Sequence, residues 1–156
     1  MEPRTPSLAS VDSALPFRLH HIGLLVRSIE VATDLQVARY GYRIESGIIH
    51  DPVQTAWVRF LKIPGTDHWL ELVAPDGAGS RLASALAKRG EGLHHLGYEV
   101  ADMAAACASL RHGQIPVAPP VPAVAFEGRR VAWFIDRAGL LTELVEGGAG
   151  PFGRCE

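Results

Sequence analysis

HHIGLLV, residues 20–26, and HHLGYEV, residues 94–100, decide the fold. Each writes a pair of histidines, an apolar residue, a glycine and then a run that reads as a β-strand. Setting His21 on His95 fixes an offset of 74 residues, and further stretches then fall into line. HIGLLVRSIEVA lies on HLGYEVADMAAA, and WVRFL (57–61) lies on VAWFI (131–135). WLELV (69–73) matches LTELV (141–145) with the offset slipped to 72. Short apolar strands resemble one another in any alanine-rich chain, so coincidence is the competing explanation. Four matched pieces in one order at nearly one offset make duplication the better one.

Both copies change to helical spacing after the first strand. Ser28 and Asp102 are good N-cap residues for the two helices, and Gly41 and Gly113 follow them before the chain turns extended again. Each half therefore reads strand, helix, strand, strand, strand. The expected class is α+β, built from two βαβββ modules in a single domain over residues 18–147. Module one spans about 18–75, a connector helix about 79–90 and module two about 92–147. Residues 1–17 and 148–156 read as tails. Pro119, Pro120 and Pro122 make PVAPPVPAVAFEG a loop or an irregular edge.

Composition narrows the partners. The chain has 156 residues, 47% hydrophobic and 21% charged, with a net charge of −2. There is no surplus of Lys and Arg to neutralise a nucleic-acid backbone. No apolar run approaches the roughly 20 residues of a membrane span. The N-terminal stretch lacks the apolar centre of an export signal, so the expected location is cytoplasmic. Cys107 and Cys155 show no pattern that asks for a disulfide.

Strand alternation then sorts the polar residues. In the first strands, Ile22, Leu24 and Val26 share one face, as do Leu96, Tyr98 and Val100; these faces suit packing against the helices. The opposite faces carry His21, Gly23 and Leu25, and His95, Gly97 and Glu99. In the last strands, Glu71 lies with Trp69 and Val73, and Glu143 with Leu141 and Val145. A carboxylate among apolar neighbours on a central strand is costly unless paired or bound to a cation. Each residue alone has an ordinary explanation, a solvent-facing Glu or a satisfied core His. Two His and two Glu at equivalent positions of a duplicated unit point to one divalent-metal site formed by His21, Glu71, His95 and Glu143. Mixed N/O ligation suits Mn, Fe, Co, Ni or Zn and leaves positions open for substrate. By the same alternation His20 and His94 point to the opposite face and are not ligands. His50, His68 and His112 carry no spacing signal. Arg59, Arg129 and Arg130 are candidates for an anionic substrate group, or solvated surface charges. Glu99 is a candidate to orient His95, or a plain exposed Glu.

The ordered set GEGLHHLGYEVAD, DHWLELVAP and GLLTELVE resembles the vicinal oxygen chelate superfamily, a glyoxalase-like fold, and within it the methylmalonyl-CoA epimerases. The resemblance covers about residues 18–147. It implies the same four ligands, His21, Glu71, His95 and Glu143, and a homodimer. It also implies an epimerase or isomerase of a small acyl thioester, CoA-linked or carrier-bound. The metal would stabilise the enolate formed as a neighbouring proton leaves, with Glu143 as the first candidate base and Glu71 as the second. The pattern departs at one point: Gln54 is kept, but the position of a second catalytic Glu falls on Val58. That favours a related thioester or a one-base isomerisation. A glyoxalase I-like lyase acting on a thiol adduct and a non-catalytic, resistance-type binding protein are the other readings. An extradiol dioxygenase would leave Glu71 surplus.

Overall fold

The computed structural model describes residues 16–147. Most of the first tail, the second tail and Cys155 lie outside the described residues, and Cys107 is buried and free.

Module one runs β1 (Arg18–Leu25), α1 (Ile29–Tyr40), β2 (Arg43–Ile44), β3 (Ile49–Asp51), β4 (Ala56–Lys62) and β5 (Trp69–Pro75). The connector helix α2 (Arg81–Arg89) leads to module two: β6 (Gly92–Val100), α3 (Met103–Leu110), β7 (Ile115–Pro122), β8 (Arg130–Ile135) and β9 (Leu141–Glu146). The helices start where the caps call for it. Ser28 Oγ accepts from the Val31 N–H, Ser80 Oγ from Leu82 and Asp102 Oδ1 from Ala105. Gly41 ends α1 in the left-handed region, at φ 67°, with its N–H donated to the Val37 carbonyl.

All nine strands join one sheet in the order β2-β4-β5-β1-β6-β9-β8-β7, with β3 pairing β4 beside β2. In each module the last strand lies parallel to the first, β5 on β1 and β9 on β6. The modules meet where β1 pairs antiparallel with β6. The four central strands are thus the four predicted to carry the polar residues.

Three apolar clusters hold this arrangement. Ala32 and Ile29 of α1 pack with Leu61, Leu70 and Leu72 on one outer face. Met103, Ala106 and Cys107 of α3 do the same with Phe134 and Leu144. The third cluster lies inside the curved sheet and draws on both modules, with Val58, Phe60 and Val73 against Phe126, Val131 and Val145. Burying a side chain of this size contributes about 1.5–3 kcal/mol, so the shared inner cluster binds the modules into one unit.

One detail differs from the sequence reading, and one that it left open is decided. The strand after α1 is split into β2 and β3, because Ser46 Oγ accepts the Phe60 N–H and interrupts the pairing with β4. The proline-rich stretch is an edge strand, β7, whose register on β8 shifts twice between Pro116 and Val121. Proline lacks the donor a ladder needs, so an irregular edge is where these residues can sit. No helix among the described residues is long and apolar enough to cross a membrane.

Candidate metal centre

Register along the central strands explains why each half repeats His-His-apolar-Gly. His21 stands opposite Gly97, and His95 opposite Gly23, across the β1–β6 seam. Gly97 in turn neighbours Glu143, and Gly23 neighbours Glu71. Two rows result: His21–Gly97–Glu143 and Glu71–Gly23–His95. A Cβ on Gly23 would fall inside the imidazole of His95, and one on Gly97 inside that of His21. Each glycine is the space that the other module's histidine occupies.

The four side chains converge. His21 Nε2 lies 2.8 Å from Glu143 Oε2, 3.2 Å from Glu71 Oε2 and 3.0 Å from His95 Nε2. His95 Nε2 lies 2.9 Å from Glu71 Oε2 and 3.6 Å from Glu143 Oε2. All four residues are buried, and one donor atom from each lies within 4.8 Å of the others. Nitrogen and oxygen ligands about 2.1 Å from a shared ion stand roughly 3.0–3.4 Å apart at adjacent vertices of an octahedron or tetrahedron. The observed spacings, 2.8 to 3.6 Å, bracket that range. Glu71 Oε2 and Glu143 Oε2 are closed off from solvent, and neither accepts a hydrogen bond of acceptable geometry despite the nearby ring nitrogens. Buried carboxylate oxygens aimed at a point rather than at a donor are what a cation would satisfy. The donor set fits a divalent metal ion.

The protonation pattern of the bare side chains agrees. Burial works against a charged His21, but Glu71 and Glu143 outweigh it and carry the imidazole up to about 10. Burial also works against ionised Glu71, yet His21 and His95 hold it well below the usual carboxylate range. Glu143 is pushed up, by burial first and by the Glu71 charge in addition. A proton held among two imidazoles and two acids occupies the space that a metal would take.

His20 and His94 do not face away, as simple alternation predicted. Both are the extra residue of a β-bulge, one on β1 between Leu19 and His21 and one on β6 between Leu93 and His95. A bulge turns two consecutive side chains toward one side. His20 Nδ1 lies 2.8 Å from His21 Nδ1, and His94 Nδ1 lies 2.8 Å from His95 Nδ1. These contacts fix the ring planes and leave each Nε2 pointing into the site. Burial, then the His95 imidazole, lowers His94 to about 4, so it is neutral at pH 7 and suited to accept from His95.

A cavity of about 200 Å³ opens beside the site; Glu71, His95 and Glu143 line it with Val58, Val73, Phe126, Trp133 and Leu141. Gln54 and Asp51 are on its wall. Gln54 Oε1 accepts from Trp133 Nε1 at 3.2 Å, joining the modules across the space. Asp51 is fully buried. Its Oδ1 accepts the Val53 and Gln54 N–H groups, and its Oδ2 those of Val124 and Ala125, in the short 3₁₀ turn Val124–Phe126 of module two.

The predicted anion holders lie elsewhere. Arg59 extends from β4 toward α1, where Nη1 donates to Thr33 Oγ1 at 3.4 Å. Arg129 donates to the Phe126 and Glu146 carbonyls, and Arg130 pairs with Glu146 at 2.7 Å. Glu99 stands opposite Arg18, and the partner of His95 is His94. His50 is paired with Asp76 and stacked on Trp57 away from the cavity. Sequence reasoning did not reach Asp51, Trp133 or the cavity-lining Arg81 and Arg89. The doubled histidines were the one available signal for His20 and His94.

Comparison with known proteins follows the same lines. The family model of the glyoxalase/bleomycin resistance protein/dioxygenase superfamily matches residues 20–133. Among solved structures, a methylmalonyl-CoA epimerase from Mycobacterium tuberculosis is 29% identical, with a TM-score of 0.71, over 84% of this chain and 88% of that one. A Streptomyces coelicolor methylmalonyl-CoA epimerase variant in complex with 2-nitronate-propionyl-CoA is 28% identical, with a TM-score of 0.76, over 86% of this chain and 100% of that one. A methylmalonyl-CoA epimerase in complex with methylmalonyl-CoA and NH4+ is 28% identical with a TM-score of 0.76, over 86% and 97%. No curated protein matches the chain.

Proposed function

The chain belongs to the glyoxalase/bleomycin resistance protein/dioxygenase superfamily, and on that premise we propose that it is a metal-dependent epimerase or isomerase of a small acyl thioester. The observation that carries this reading is the pair of buried carboxylates and pair of imidazoles converging at the floor of a mostly apolar cavity. The likeness to epimerases solved with CoA thioesters supports the substrate class.

His21, Glu71, His95 and Glu143 would hold the metal, with His20 and His94 fixing the two rings. A divalent ion there supplies Lewis acidity, which lowers the cost of negative charge developing on the thioester oxygen as the α-proton leaves. Glu143, open to the cavity, takes that proton; Glu71, on the other row, is the second carboxylate in reach of the same space. Phe126, Trp133 and Val58 make the wall apolar, which keeps water from the carbanion. Val58 is 3% exposed and has no proton to exchange, so proton transfer falls to the carboxylates of the floor. The cavity of about 200 Å³ suits a short acyl group.

The test is metal analysis of the purified protein followed by NMR of acyl thioesters in deuterated solvent. Bound divalent metal and exchange of the α-proton, abolished in Glu143→Gln, are expected. Retained exchange in Glu143→Gln would shift the base to Glu71. No bound metal, or turnover of a hemithioacetal with no exchange on any acyl thioester, would overturn the reading.

A further inference from the structure

The chemistry at the cavity floor leaves two cations on its wall unexplained. Arg81 and Arg89, the first and last residues of α2, both line the space that holds Glu71 and Glu143. Among the described residues they are the only Lys or Arg side chains lining it, and the acids on the same wall are already engaged. Glu71 and Glu143 face ring nitrogens, and Asp51 accepts four backbone N–H groups. Among the described residues neither arginine has an ion-pair partner. Helix stability does not account for Arg81. It sits in a first turn without any acidic residue, where a cation opposes the helix dipole. The rim therefore carries uncompensated positive charge that faces the cavity.

The spacing says what kind of anion fits. Eight residues along a helix separate the two guanidinium-bearing positions by about 12 Å. The cavity itself, about 200 Å³, suits a short acyl group. Leu82 and Ala85 of α2 line the cavity between Arg81 and Arg89, so a carrier lying along that wall passes both arginines. A single carboxylate beside the reacting carbon would need one cation near the floor. A long carrier with phosphate away from its reacting end needs cations on the rim, and the guanidinium fork matches phosphate oxygens in pairs.

We propose that Arg81 and Arg89 bind the phosphate of a phosphorylated pantetheine carrier whose thioester end reaches Glu71 and Glu143. This rests on the acyl-thioester reading above. The carrier could be free CoA or the prosthetic arm of a carrier protein, and both present the same pantetheine phosphate.

Three probes separate the cases: propionyl-CoA, propionyl-phosphopantetheine and propionyl-pantetheine, each titrated calorimetrically into the metal-loaded protein. The phosphopantetheine thioester should bind roughly tenfold tighter than the phosphate-free one. Additional gain with the CoA thioester identifies a nucleotide-bearing carrier; equal binding of the two phosphorylated probes identifies a prosthetic arm. In the Arg81→Gln/Arg89→Gln double variant the advantage of phosphate should vanish, while the pantetheine thioester binds as before. Lysine at both positions should restore part of it, and Lys88→Gln, on the same helix but off the cavity, should change nothing. At saturating substrate the double variant should exchange the α-proton at the wild-type rate, with KM alone raised. Equal affinity of the wild type for all three probes, or an unaltered phosphate advantage in the double variant, overturns the proposal. Phosphate preference without α-proton exchange sinks the isomerase reading and leaves the arginine rim standing. Exchange that is indifferent to both arginines does the reverse.

Discussion

The two modules agree closely where they touch and part company away from the seam. At the β1–β6 junction each supplies a bulged His-His pair, a glycine and, on its last strand, a glutamate, in matching register. At the outer edges, module one ends in the split pair β2 and β3, and module two in a proline-rich strand with shifted register. The histidine pairs show the same contrast in miniature. His20 is 3% exposed and lies against Trp69 and Phe126, with ring centroids 4.9 and 5.9 Å away. His94, its counterpart, lines the cavity beside Arg89. Metal chemistry asks for symmetry at the four donors, and substrate access asks for an opening on one side. The molecule meets both with a symmetric floor and an asymmetric wall.

The sharpest way to break this comparison is to remove one donor from each module. His21→Ala and His95→Ala should each weaken metal binding by at least about a hundredfold, since second-shell losses alone reach that scale. Equal losses are expected, measured by metal content after dialysis; a variant that keeps full metal would dissolve the shared site. Next come the glycines. Gly23→Ala should displace His95 and Gly97→Ala should displace His21, each costing about 1–3 kcal/mol in overpacking together with most of the bound metal. Thermal unfolding with and without added metal reads both effects, and a Gly→Ala change that leaves metal affinity intact would contradict the interlocked rows. The bulge histidines should sharpen the contrast between the modules. His20→Phe and His94→Phe should each lower metal affinity by about 10–100-fold, since both remove the contact that orients a ligand. Only the His94 change should also alter substrate KM, because only His94 faces the cavity. The smallest effect on metal affinity belongs to Asp51 on the cavity wall. Asp51→Leu leaves backbone N–H groups of both modules unpaired and should cost about 1–3 kcal/mol per group left buried, with metal affinity little changed. Asp51→Asn, which keeps one acceptor oxygen, should cost less by chemical denaturation.

The repeat, the class of fold and the four convergent side chains were legible in the sequence, because duplication doubles every weak signal. A lone Glu71 or His21 says little; each matched to a partner in the other half says much more. What strand alternation could not supply was the effect of a bulge. Period two put His20 and His94 on the outer face, and one inserted residue in each strand turned them inward. The arginines failed for another reason. Arg129 and Arg130 are spoken for by Glu146, on a strand whose pairing with β8 is a matter of register, and Arg59 is drawn outward to Thr33. Arg81 and Arg89 lie on a helix that reads only as a connector until the sheet curves beneath it. Asp51 is silent in sequence because its partners at Val124 and Ala125 are 73 and 74 residues away.

The exchange of space between Gly23 and His95, and between Gly97 and His21, ties the fate of one repeat to the other. Neither half can complete its own pocket for a ring; each borrows the hollow its sibling leaves. Drift at one glycine would have to be answered by a smaller residue at the opposite histidine, which would surrender a donor. The two copies, once duplicated, are therefore held in step at this row and left to diverge everywhere else. The borrowing also takes no account of covalent linkage. A first half from one polypeptide and a second half from another would mesh through the same two hollows, and the connector helix sets only how often they meet.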